Sequence, residues 1–115
     1  MLQFSEYITE NMSKTKTYAV DLDGTLAKFN KYVEGEIGNP VKPMLNRIKT
    51  WLRYGHKVVI FTARAGNPTD VSAIKRWLKK NNLPNLKITN VKTPDITEIW
   101  DDRAVSVYKN QGLVK

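Results

Sequence analysis

The chain has 115 residues, 41% hydrophobic and 26% charged, with 19 Lys and Arg against 11 Asp and Glu for a formal charge of +8. That length suits one domain with one core, and no apolar run nears the roughly 20 residues of a membrane-spanning helix. The absence of Cys excludes disulfides, thiolate nucleophiles and Cys-ligated metals.

Residues 1–16 are too polar for a secretory signal, so a cytoplasmic protein is expected. The positive charge would draw phosphorylated substrates or polyanions. It can also be simple surface solvation. Lys75, Arg76, Lys79 and Lys80 fit that use, lying mostly opposite the apolar stripe of one helix.

In chain order, residues 1–15 form an N-terminal arm or short helix. Phe4, Tyr7, Ile8 and Met12 are its stripe and Ser5 its cap. The core is expected over 16–107. Its first strand covers 16–22 and is followed by a flap or small hairpin over 27–40, turning near Glu34-Gly35. A helix over 41–54 follows, with Pro43 in its first turn, Gly55 at its stop, and Met44, Leu45, Ile48, Trp51 and Leu52 on one face. The second strand, 56–61, has four consecutive apolar residues, as in a strand covered on both faces. A second helix starts at Asn67-Pro68 and runs to about Asn81. Strands are expected over 86–91 and 97–100, with a short fifth over 104–107 and a tail over 109–115. This alternation predicts an α/β fold, a three-layer sandwich around a mostly parallel Rossmann-like sheet.

Asp21-Leu22-Asp23-Gly24-Thr25-Leu26 is the chemical centre of the chain. On an extended strand Asp21 and Asp23 would share a face, and Gly24 permits a turn. Carboxylates that close resist joint ionisation unless a cation joins them. A hard cation such as Mg²⁺ suits such oxygen ligands. Three uses compete. One is an ordinary Asx/Gly turn. A calcium loop fails, because Ala19 and Asn30 would stand where Asp and Glu are required. The third is an aspartyl nucleophile with a second Asp as acid/base.

In a parallel sheet the ligand sits at the carboxyl ends of the strands. There the predicted strands bring together Asp21 and Asp23, Thr62 and Arg64, Lys92, and Asp101 with Asp102. His56, Trp51 and Trp77 need no catalytic role, and Trp100 should point away from the acids by alternation.

In this order the motifs resemble the haloacid dehalogenase-like (HAD) hydrolase superfamily, over residues 16–107. They are Asp21 to Thr25, Thr62 after an apolar strand, Lys92, and Asp101-Asp102. Val59 to Arg64 and Ile99 to Ala104 look like the versions in small phage and bacterial members. The resemblance implies a phosphatase. Asp21 would attack phosphorus, and Asp23 would protonate the leaving oxygen and then activate water. Thr62 would bind the phosphoryl group and Lys92 would offset charge, with Lys87 as the rival lysine. Asp21, Asp23 (through its carbonyl), Asp101 and Asp102 would hold Mg²⁺. Gly24, Thr25, Thr62, Ala63, Arg64 and Lys92 would line the substrate site. Thr25 would offer its N–H to phosphate or finish the turn. Arg64 would clamp substrate or orient Asp101 and Asp102.

Neither gap between motifs has room for a cap domain. A capless, basic, open site suits a nucleotide or a nucleic-acid end, and a homo-oligomer could supply the missing lid. The alternatives carried forward are a nucleotidase or polynucleotide end phosphatase, and a non-catalytic phosphate- or nucleic-acid-binding module.

Overall fold

The computed structural model of the chain describes residues 14–115. The expected stripe at Phe4, Tyr7, Ile8 and Met12 lies outside the described residues.

Among the described residues, four strands and two α-helices follow in the order β1 (Thr17–Val20), α1 (Lys42–Arg53), β2 (Lys57–Phe61), α2 (Pro68–Lys80), β3 (Lys87–Thr89) and β4 (Glu98–Trp100), with no helix between β3 and β4. The strands form one parallel sheet in the order β3-β2-β1-β4. Tyr18 pairs with Val58 and Val20 with Ile60, so these four share a face. They join Met44, Leu45 and Ile48 of α1 and Ile74, Trp77 and Leu78 of α2 in a single core. Both helices therefore bury their stripes against this face. The other face carries Ala19, Val59, Phe61 and Ile99, from fully buried Ala19 to Ile99 at 37% exposed.

Aromatic packing fixes α1 to the sheet. Tyr18 stacks on Trp51 at 3.8 Å, and Trp51 meets Trp100 edge-on at 5.1 Å. Trp100 thus packs toward α1, as alternation suggests. His56 accepts the Lys16 N–H at Nδ1, a structural role at the start of β2.

The strands are shorter than the sequence suggests. β1 ends at Val20 because the chain turns at once: the Leu26 and Ala27 N–H groups both donate to the Leu22 carbonyl. The flap is not a hairpin. Only Ala27 and Pro40 bridge at its base, while residues 28–39 form a loop without paired strands. At the C-terminus the expected fifth strand and free tail are both corrected. Val107 bridges Val114, and the chain reverses through Asn110 and Gly112, both at positive φ. These two residue types tolerate that conformation, so the segment folds back on itself. Among the described residues no helix is long and apolar enough to cross a membrane.

Candidate active site

The carboxyl ends of β1, β2 and β4 open on a cavity of about 480 Å³. Asp21, Asp23, Thr62, Ala63, Arg64 and Asp102 line it, with Phe29, Tyr32, Asn67, Asp70 and Arg103. The side chains divide into two walls.

The first wall is acidic. Asp21, Asp101 and Asp102 each bring a carboxylate oxygen within 4.8 Å of the others. The Asp21 N–H continues the β1–β4 ladder to the Trp100 carbonyl at 2.9 Å, which sets Asp21 beside Asp101. The Thr25 hydroxyl lies 3.4 Å from Asp21 Oδ2 and 3.2 Å from Asp102 Oδ1, and it accepts the Asp102 N–H at 3.0 Å. Asp101 accepts the Arg103 N–H. Among the described residues no Lys or Arg forms an ion pair with these three acids. Burial, then the charge of Asp101, then the hydrogen bond and charge of Asp102, push the Asp21 carboxyl up to about 7. The three carboxylates form an all-oxygen donor set, which a hard divalent cation fits.

Gly24 makes this wall possible. Its φ is +90°, and a Cβ there would stand 2.7 Å from Asp102 Oδ2. Its N–H donates to the Ala27 carbonyl and the Thr25 N–H to the Leu22 carbonyl. Both amides therefore serve the turn, and of the two roles open to Thr25 the observed one is turn closure, with its hydroxyl serving the acids.

The second wall is paired throughout. Arg64, 5% exposed, donates from Nε and Nη2 to the two oxygens of Asp23 at 2.7 and 3.2 Å. Its Nη1 donates to Asp70 Oδ1 at 2.9 Å and to the Val33 carbonyl at 3.3 Å. The guanidinium carbon lies 4.7 Å from the centre of the Tyr32 ring. Arg64 therefore orients neither Asp101 nor Asp102. Four of its five donors are committed to Asp23, Asp70 and the flap, which also leaves little for clamping substrate. Burial opposes its charge, but Asp23 and Asp70 outweigh it and hold the guanidinium above its ordinary value.

Asp70 escaped the sequence analysis. It is fully buried in the first turn of α2, where it resembles any acid behind the Asn67 cap. It accepts the Tyr32 hydroxyl, the Gly35 N–H and Arg64. Burial alone would raise its pKa. These donors outweigh that and keep the carboxyl below its ordinary range. Tyr32, Phe29 and Arg103 were also missed, since nothing in their spacing marks a site.

Thr62 is buried, and its Oγ1 accepts the Arg64 N–H at 3.1 Å, so the hydroxyl proton remains to be donated. Lys92 is the outlier. It is exposed and shares a neighbouring groove with Trp100 and Asp101 rather than lining the cavity of Asp21. Lys87 is exposed on β3 and does not line this cavity either. The structure therefore brings Asp21, Asp23, Thr62, Arg64 and Asp102 to one cavity with Asp101 beside it, and leaves both lysines outside.

No family model matches the chain, and no curated protein does. A conserved protein from Bacteroides thetaiotaomicron has a similar structure. The TM-score is 0.62 at 19% identity, over 80% of this chain and 79% of the other. At that identity the likeness concerns the α/β fold alone.

Proposed function

We propose that the protein is a Mg²⁺-dependent phosphatase that hydrolyses a phosphate monoester through an aspartyl-phosphate on Asp21. The supporting observation is the group Asp21, Asp101 and Asp102 at the ends of neighbouring parallel strands, with no ion-paired Lys or Arg among the described residues, beside Asp23 held by Arg64. Under this proposal the protein is a cytoplasmic, capless, HAD-like hydrolase. Its sheet is Rossmann-like, with a third layer over the face of Val59 and Ile99.

Asp21, Asp101 and Asp102 would hold the ion. When bound, it offsets negative charge so that a carboxylate can approach an anionic ester. An oxygen of Asp21 attacks phosphorus as the bond to the leaving oxygen breaks. Asp23 gives that oxygen a proton. The Asp23 carboxylate then takes a proton from water, whose oxygen attacks phosphorus and frees Asp21. The Arg64 fork holds Asp23 in line for both transfers. The Thr62 hydroxyl donates to a phosphoryl oxygen. Lys92, exposed in the adjacent groove, would offset charge on the phosphate only if its side chain turned toward Asp21.

The test is phosphate release from a generic aryl phosphate with Mg²⁺, with EDTA, and with Asp21→Asn. Release that needs Mg²⁺ and Asp21 is expected. Release that persists in EDTA or in the variant overturns the assignment. The exposed position of Lys92 favours a second reading, a non-catalytic phosphate-binding module. That reading predicts phosphate-analogue binding with no release from any monoester.

A further inference from the structure

We infer that the substrate carries a nucleobase close to its phosphate, and that Phe29 is the surface on which the base stacks. The inference rests on the phosphatase proposal, because Asp21 sets where the phosphate lies.

The cavity does not stop at the polar end. Besides Asp21, Thr62 and Asp102, two aromatic side chains of the flap line it, Phe29 and Tyr32. Phe29 is 49% exposed, and among the described residues no ring or cation packs on it. Other aromatics are exposed too; Tyr54 is 73% exposed but lines none of this cavity. Phe29 differs because its open ring lines the same cavity as Asp21 and Asp102.

The aromatic wall is also held in place. The Tyr32 hydroxyl donates to Asp70 at 2.7 Å, and Arg64 covers the ring. The Gly35 N–H donates to Asp70 at 2.7 Å, and Trp77 Nε1 donates to the Gly38 carbonyl at 2.8 Å. The Lys28 N–H closes the base of the flap on the Asn39 carbonyl at 2.8 Å. A flap pinned at these points loses little freedom when a ring arrives, so stacking is not spent on ordering it. A small ring-free phosphate would use only the polar end and leave this wall bare. A base beside the phosphate would use both ends. Every base has a π face, so the platform accepts all of them. Arg103, which also lines the cavity, and the formal charge of +8 favour an anionic ligand.

Two sources share this chemistry, a free nucleoside monophosphate and the phosphorylated end of a single strand. The experiment compares adenosine monophosphate, a short single-stranded oligonucleotide with a terminal phosphate, and glycerol phosphate. It uses wild type, Phe29→Ala, Phe29→Leu and Phe29→Trp. Phe29→Ala should raise KM for the base-bearing substrates by about fivefold to 150-fold, which is the stacking contribution per base converted to a ratio. The effect on kcat should be far smaller. Phe29→Leu, which keeps apolar bulk without a π face, should recover little, and Phe29→Trp should restore KM. A lower KM for the oligonucleotide than for the mononucleotide identifies a strand end as the source; the reverse identifies a free nucleotide.

Glycerol phosphate used as well as the base-bearing substrates, or a KM unmoved in Phe29→Ala, overturns the inference while the phosphatase proposal stands. If even the aryl phosphate is not hydrolysed, that proposal fails separately. Calorimetric binding of adenosine monophosphate to Asp21→Asn, with and without Phe29→Ala, then decides: weaker binding in the double variant supports the platform, and equal or absent binding overturns it.

Discussion

The two sides of the site hold five carboxylates, Asp101 just outside the cavity, in opposite ways. Asp23 and Asp70 are matched by Arg64, Tyr32 and the Gly35 amide. Asp21, Asp101 and Asp102 meet one another, a threonine hydroxyl and backbone amides. A protein tolerates a buried carboxylate when it supplies the donors itself. Among the described residues no Lys or Arg pairs with the second group. Under the proposed function, the paired wall positions Asp23, and the other wall is where an ion and a phosphate would meet.

The contrast can be broken at either wall. The largest effect is expected at Asp21. Asp21→Asn should lower kcat for an aryl phosphate at least about a thousandfold, as loss of a nucleophile does. Activity within tenfold of wild type would remove Asp21 from the chemistry.

Next comes Asp70→Ala, which leaves part of a buried guanidinium unmatched. Urea unfolding should show a loss of about 3–5 kcal/mol, the usual result of removing one partner of a buried pair. A loss below 1 kcal/mol would mean that the paired wall is not a framework. The Asp70 carboxyl is depressed in the folded state. Its contribution is therefore complete above the ordinary carboxylate range and lost as pH falls through the folded value. Asp70→Asn should flatten that acid limb.

The acidic wall should show the opposite sign. Asp21 rises from an ordinary 3.8 to about 7. Without divalent cations its contribution to stability is greatest below pH 4 and declines as pH rises toward 7. Melting temperature measured against pH in EDTA should show this decline, and Asp21→Asn should remove it. An unchanged profile in the variant would refute the strained cluster.

The smallest effect concerns the basic face of α2. Lys75, Arg76, Lys79 and Lys80 are all exposed, away from the cavity. Neutralising all four should change neither stability nor turnover of a small substrate measurably. A raised KM for an oligonucleotide alone would show that this face holds the strand.

Much of the acidic wall was legible in the sequence. Asp21 and the Asp101-Asp102 pair each end a short apolar stretch, and parallel strands deliver such ends to one edge. Gly24 was legible as a turn, though not as the space Asp102 needs. The paired wall was largely hidden. The partners of Arg64 lie 41 residues before it and six after it, at distances no periodic pattern encodes. Asp70 looks like an ordinary first-turn acid until its complete burial is seen. Lys92 was placed by its position after a strand, but β3 ends at Thr89 and leaves it on an exposed loop. The reversal at Asn110 and Gly112 had turn-forming residues, and without a second apolar strand beside them it read as a tail.

The most direct test of the unpaired wall is calorimetric titration of Mg²⁺ into wild type and Asp21→Asn near pH 7, in buffers of different ionisation enthalpy. One Mg²⁺ should bind wild type with release of a proton, because Asp21 is partly protonated there and must ionise to ligate. The heat should then depend on the buffer, and Asp21→Asn should bind more weakly without that dependence. Absence of Mg²⁺ binding, or identical binding in the variant, would contradict the claim that these three acids await a cation.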